Sequence, residues 1–337
     1  MLVKLLCAVC LCVILGLVAA SSKENVALLV PVTSKGFDRN IEMEYMYLFT
    51  HLVASLQVAI TEADYEAYQI SLYLAIDSGD SVYDRKGAGK ELQKLFSSHL
   101  PRVSFKLLRL DHHSQKIAAI WNKLVQRAFS GKRPNDYFIF LSDDAVVESE
   151  GFVGNIVTTL ADNNNFGVVA FHEKHKYAKA GSWPTFPCFH RTHLEIFGAD
   201  AAFDPVFVNS YVDIWISDVY RAFKSDVILP EAIILNTVGG QESPRYNPTF
   251  PGWDTYIAAV ERGRRRVAAY LSSLPSERIE AIPAMYGRLT AATVDATGET
   301  EEEEEDLRFR WSPRELSYGP EGYHYADYCR QAAGCIP

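Results

Sequence analysis

The stretch DYFIFLSDDAVVES, residues 136–149, decides the fold. An apolar and aromatic run from Tyr137 to Leu141 stops at Ser142, Asp143 and Asp144. A run this short, bounded by turn formers, reads as a strand buried on both faces. The adjacent carboxylates at its end have two readings. They are a turn that solvates itself, because Asp and Ser are favoured there, or a seat for a hard cation, which takes carboxylate oxygens.

The segments upstream have the same form. NVALLVPVTS (25–34) and YQISLYLAID (68–77) are apolar runs that end in hydroxyls or acids, and RVSFKLLRL (102–110) is a third strand with partial alternation. Between them, residues 40–61 carry apolar positions at helical spacing. In SQKIAAIWNKLVQRAF, Ile117, Trp121, Leu124 and Ala128 share one helical face, with Ser114 as N-cap. Strands alternating with helices, and apolar on both faces, predict an α/β fold with a mostly parallel central sheet covered on both sides. In such sheets ligands bind beyond the carboxyl ends of the strands. Thr33-Ser34, Asp77-Ser78-Gly79-Asp80 and Ser142-Asp143-Asp144 all fall at such ends.

Further on, NFGVVAFH (165–172) and DVILPEAIIL (226–235) read as strands. SYVDIWISDVYRAF (210–223) reads as an amphipathic helix, and residues 252–274 as a helix interrupted by Gly263. Beyond about residue 290 come an acidic spacer (291–306) and a short aromatic C-terminal tail (307–337). Eight acids without a base lie between Asp295 and Asp306, and without them the net charge of −9 becomes −1. The rest of the chain, with its body at residues 21–290, is thus nearly neutral and carries no basic footprint for nucleic acid.

Residues 1–20 read as a secretory signal: Lys4, then sixteen uncharged residues, then Ala19-Ala20. The apolar stretch is shorter than a spanning helix prefers, so membrane attachment is expected only if the segment stays uncleaved as an anchor. Either form directs the body to the ER/Golgi lumen or outside the cell. Of the six cysteines, Cys7, Cys10 and Cys12 lie in the signal. Cys329 and Cys335 can close a small loop in an oxidising lumen, leaving Cys188 free.

The first strand VALLVPVTSKG, the strand end YLAIDSGD, the helix IAAIWNKLVQRAF and DYFIFLSDDAVVESEGF directly after it resemble, in order and spacing, the GT-A class of nucleotide-sugar-dependent glycosyltransferases. The resemblance spans roughly residues 25–275. It implies a Rossmann-like GT-A fold and transfer of a sugar from a nucleotide-sugar donor to a hydroxyl on a glycan, glycoprotein or glycolipid. In that class an Asp-x-Asp signature after the fourth strand holds Mn²⁺ or Mg²⁺ against the donor diphosphate. Here the signature is Ser142-Asp143-Asp144, so its first carboxylate is replaced. The resemblance makes Asp144 and Asp143 the metal ligands, and Pro31, Thr33, Ser34, Asp77, Asp80, Asn122 and Asp143 the donor-binding residues. It makes Asp213, at the start of a helix in the acceptor half, the general base.

The residues themselves also allow blander readings. Ser210-Tyr211-Val212-Asp213 fits a capping box, and Asp218, one turn on, is the alternative base. His190 and His193 read as surface or capping residues sooner than as acceptor contacts or an added metal ligand. HEKH (172–175) is one residue short of the spacing that puts two imidazoles on one helical face for zinc. GAGKE (87–91) lacks most of a phosphate loop. RGRRR (262–266) fits a solvated helix end better than a diphosphate site. A glycoside hydrolase needs two carboxylates about 5–10 Å apart across a sugar, which adjacent Asp143 and Asp144 are not. The remaining alternative is a GT-A-like protein that binds nucleotide or glycan without turnover.

Overall fold

The computed structural model describes residues 23–111, 113, 116–174, 184–236, 245 and 249–275, with two short strands near the C-terminus. In chain order the elements are β1 (Glu24–Pro31), a π-helical turn (Leu48–Val53) running into α1 (Ala54–Ala59), α2 (Glu62–Ala67), β2 (Tyr68–Asp77), α3 (Ala88–His99) and β3 (Ser104–Leu110). Then come α4 (Ile117–Phe129), β4 (Tyr137–Phe140), β5 (Ala145–Val147), α5 (Phe152–Asp162), β6 (Val168–Glu173), β7 (Pro184–His190) and α6 (Thr192–Phe197). The body ends with α7 (Val212–Arg221), β8 (Asp226–Asn236) and α8 (Trp253–Ser272). In the tail, β9 (Ser317–Tyr318) and β10 (Tyr323–His324) pair antiparallel. The signal, the acidic spacer, Ser114, and Cys329 and Cys335 lie outside the described residues. Among those described, no helix is long and apolar enough to cross a membrane.

Eight strands make one sheet in the order β3-β2-β1-β4-β7-β6-β8-β5. Every position of β1 from Val26 to Pro31 is buried, and so is all of β4. Successive strand side chains point to opposite faces, so both faces of the sheet centre are covered. The α/β architecture expected from the sequence is observed.

The sheet, however, is mixed rather than mostly parallel. β3, β2, β1 and β4 run parallel, but β7 is antiparallel to β4 and to β6, and β5 is antiparallel to β8. A parallel return needs a crossover of a dozen or more residues; the chain between Glu173 and Pro184 is shorter, so β7 comes back antiparallel. Two reversals cancel: β6 runs with β4 again, and β8 runs with β6. The carboxyl ends of β1, β2, β4, β6 and β8 therefore share one edge.

Gly263 does not interrupt α8. A Cβ at this position would come within 2.5 Å of Val219 and 3.4 Å of Trp215, so its missing side chain lets α8 lie close against α7. Cys188 is free and buried in β7, opposite Ile139 of β4.

Candidate active site

The first corner of the shared edge is built by the ends of β1, β2 and β4. Beyond Pro31, the Val32 amide still pairs with Ala75 of β2 at 3.0 Å. The chain then turns, and its next two amides meet carboxylates: Thr33 N donates to Asp143 Oδ2 at 3.3 Å and Ser34 N to Asp80 Oδ2 at 2.7 Å. Asp80 Oδ1 accepts from Val82 N at 3.0 Å and Tyr83 N at 2.8 Å, while Ser34 Oγ and Ser81 Oγ stand 3.0 Å apart. Asp80 thus ties the β1 turn to the β2 turn and shapes this corner from beneath.

Asp143 and Asp144 are both buried, and the cation they hold is a side chain of the protein. Arg245, in the connection between β8 and α8, donates Nη1 to Asp143 Oδ2 at 2.8 Å and Nη2 to Asp143 Oδ1 at 2.7 Å. Its Nη2 also lies 2.9 Å from Asp144 Oδ2, and Nη1 lies 3.5 Å from the Thr33 carbonyl. This is the two-pronged fork that a guanidinium makes and an ammonium does not. The ring of Tyr47 lies 5.6 Å from the guanidinium carbon, and His51 packs edge-on against Tyr47 at 4.9 Å.

Burial pushes the Asp143 carboxyl up, and Arg245 pulls it back. Burial alone would lower Arg245, but Asp143 and Asp144 outweigh it and hold the guanidinium above its ordinary value. His51 is lowered, first by burial; Asp144 raises it and Arg245 lowers it. Two buried hydroxyls, Ser142 Oγ and Tyr83 OH, have no hydrogen-bond partner among the described residues. Burial, and then the fields of Asp143 and Asp80, put the Tyr83 phenol well above its ordinary pKa.

A divalent ion is the group the sequence resemblance implies at this corner. It would need these carboxylate oxygens at about 2.0–2.6 Å, but both oxygens of Asp143 and one of Asp144 are bonded to Arg245. With Arg245 in place the pair does not fit a metal. Among the described residues no cluster of three or more His, Cys, Asp or Glu is arranged to hold one.

The second corner lies where β6 ends. β6 is two strands from β4, so at ordinary strand spacing its end is roughly 10 Å along the same edge. Glu173, the last residue of β6, accepts a 3.3 Å bond from Thr185 Oγ1. Burial, and then the charge of Asp213, raise its pKa to about 7, partly offset by Thr185 and the Asn236 amide. Asp213 sits in the first turn of α7, and burial pushes it up to about 6. The capping box open to Asp213 in the sequence does not form. Tyr211, with φ of 67°, precedes the helix, Ser210 donates to Asn209 instead, and the Asp213 carboxylate accepts from the next amide, Ile214 N, at 3.0 Å.

Other sequence candidates have structural duties. Asn122 spends both ends of its buried amide on the backbone of Phe203, donating at 2.9 Å and accepting at 2.8 Å, which turns it away from the edge. Asp77 accepts from His113 N at 3.0 Å and fixes the chain after β3. Asp218 is enclosed by Arg221 at 2.7 Å and Tyr256 OH at 2.6 Å, so it has no free oxygen to act as base.

His190 caps α6 through Thr192 N and Thr192 Oγ1. His193 is buried between Tyr220 OH and the Ala202 carbonyl. Burial lowers both imidazoles to about 4. In RGRRR, Arg262 pairs with Asp204, while Arg264 and Arg266 bond the carbonyls of Asp218 and Phe197. That run binds α8 to the body and faces no phosphate site.

No family model matches the chain, and no curated protein does. Solved structures do resemble it. TarS of S. aureus (residues 1–349) is 10% identical, covers 84% of this chain and 77% of its own, and has a TM-score of 0.42. GalNAc-T7, solved with UDP, GalNAc and Mn²⁺, is 10% identical over 77% of this chain and 54% of its own, at 0.48. Glucosyl-3-phosphoglycerate synthase of Mycobacterium tuberculosis, solved with Mn²⁺, UDP and phosphoglyceric acid, is 12% identical over 75% and 80%, at 0.38. At such identities and scores these are likenesses of shape, and they assign no activity to this chain.

Proposed function

We propose that the protein is a glycosyltransferase that moves a sugar from a nucleotide-sugar donor to a hydroxyl of a glycan, glycoprotein or glycolipid. The signal-like segment at residues 1–20 supports work in the secretory lumen or outside the cell. One observation carries the reading: a single sheet edge holds a buried cation between carboxylates at one corner and two carboxylates of raised pKa at the other. That is the division of labour a transfer from a diphosphate requires.

The nucleoside lies against Pro31, Thr33 and Ser34 in the turn shaped by Asp80, with the diphosphate toward Asp143, Asp144 and Arg245. Asp213, ionised above about pH 6, takes the proton of the acceptor hydroxyl as its oxygen attacks the anomeric carbon. The bond from that carbon to the diphosphate breaks, its electron pair leaves on the phosphate oxygen, and the configuration inverts. Developing charge on the departing diphosphate needs a preorganised positive group. A divalent ion would first need Asp143 and Asp144 released from Arg245, so no step is assigned to one.

Glu173 and Asp213 also favour a second reading, since glycoside hydrolases work with two such carboxylates. A hydrolase has no use for a nucleotide. Titrating UDP and GDP into the purified protein, then assaying sugar transfer from a panel of nucleotide sugars, separates the two. Binding of one nucleotide with transfer supports the proposal. Binding without transfer identifies a nucleotide-binding module. Hydrolysis of a glycoside with no nucleotide binding identifies a hydrolase.

A further inference from the structure

Among the acids of the edge, Asp143 and Asp144 stand out because their cation comes from 102 positions away in the chain. The four terminal N–H groups of Arg245 are all directed at this corner: two at Asp143, one at Asp144 and one at the Thr33 carbonyl. Its side chain is only 12% exposed, and those of Asp143 and Asp144 are 4% and 8% exposed. Burying three charges is costly unless they neutralise one another in good geometry, and here the geometry is bidentate. Two buried carboxylates this close, left alone, would draw a hard cation from solution. Arg245 satisfies that demand from within the chain and takes both oxygens of Asp143 and one of Asp144.

We infer that Arg245 is the resident cation of the donor site. It occupies the place between Asp143 and Asp144 that a divalent ion would otherwise take. With its terminal N–H groups already bonded it acts by cancelling carboxylate charge rather than by touching the ligand, and the protein binds its nucleoside diphosphate without a metal. The inference rests on the glycosyltransferase reading for the identity of the ligand, though not for the identity of the cation. Asp143 and Asp144 are then positioning residues that hold the guanidinium fork, and Ser142, in place of the first carboxylate of the signature, removes no ligand that the fork uses. Lys35, exposed in the β1 turn with its amide bonded to Thr33 Oγ1 at 3.2 Å, adds positive charge at the lip.

The test measures Mn²⁺ uptake directly, by loss of the free-ion electron paramagnetic resonance signal, on the intact protein and on Arg245→Ala and Arg245→Lys. Nucleotide titrations in EDTA and in Mn²⁺ accompany it. The intact protein is expected to take up no Mn²⁺ at this pair and to bind UDP or GDP equally in both solutions. Arg245→Ala is expected to gain one Mn²⁺, to lose nucleotide affinity in EDTA by about tenfold to a hundredfold, and to recover affinity when Mn²⁺ is added. Arg245→Lys, a point charge without the fork, is expected to fall between.

Uptake of one Mn²⁺ by the intact protein, abolished by Asp144→Asn, overturns the inference and leaves the transferase reading standing. Nucleotide binding that requires Mn²⁺ does the same. If the expected Mn²⁺ pattern holds but neither nucleotide binds in any solution, the cation assignment stands and the transferase reading fails. The measurements on the intact protein decide the question even where Arg245→Ala does not fold.

Discussion

The two corners of the carboxylate edge use the same residue type in opposite ways. At the ends of β1 and β4, Asp143 and Asp144 are buried around a guanidinium, so their charges are fixed and the cluster is held rigidly. At the end of β6, Glu173 and Asp213 are near each other, and neither has a cationic partner among the described residues. Burial leaves Asp213 with a pKa of about 6, and burial together with the charge of Asp213 leaves Glu173 at about 7. A carboxylate clamped by arginine makes a poor proton acceptor, because its oxygens are spent. A carboxylate left without a cation is poised to exchange a proton near neutral pH. Position along one edge thus separates a corner that binds from a corner that reacts.

The sharpest way to break this contrast is Asp213→Asn. Loss of the base is expected to lower kcat for sugar transfer by about 10²–10⁴-fold, with nucleotide affinity by calorimetry unchanged. A matching loss of nucleotide affinity would mean that the corners are not separate. Next in size is the stability of Arg245→Ala. Removing the cation leaves two buried carboxylates uncompensated, at a cost of about 3–5 kcal/mol in denaturant unfolding at pH 7. Adding Asp143→Asn to that variant should return part of the loss.

The reacting corner has the opposite sign. A carboxyl whose folded pKa is raised contributes stability that is full below its unfolded value and is lost as pH rises through the folded one. Unfolding free energy is therefore expected to decline between about pH 4 and pH 7 through Asp213 and Glu173. Asp213→Asn should remove part of that decline and leave the variant more stable than the parent at pH 7, by up to about 3 kcal/mol. The smallest effect belongs to Glu173→Gln. Glu173 titrates above Asp213 and is still mostly protonated while Asp213 ionises, so the acid limb of the kcat/KM profile should move by less than about half a unit, with kcat at pH 8 little changed.

What the sequence carried well was local. The apolar runs of β1, β2 and β4 end where Thr33, Asp80 and Asp143 stand, and strand direction alone puts them on one edge. Three things were not local. β7 reads poorly because Pro184 and Pro187 break its pattern, and its antiparallel entry follows from the short return after Glu173. Arg245 is a single arginine in a stretch without period, and nothing in its spacing pairs it with Asp143. Glu173 carried a usable signal, an acid at the carboxyl end of a buried strand, but HEKH reads only against zinc spacing, which it lacks. Asn122 failed for a related reason: helical spacing places a residue on a face but does not reveal that Phe203 takes both ends of its amide.

The division between a binding corner and a reacting corner is tested most directly by titrating UDP and GDP, in EDTA, into the intact protein and Asp213→Asn, each followed by a transfer assay with the matching nucleotide sugar. One nucleotide is expected to bind both proteins with equal affinity, and only the intact protein is expected to transfer sugar. If neither nucleotide binds, with or without added Mn²⁺, the β1–β4 corner is not a donor site and the division fails.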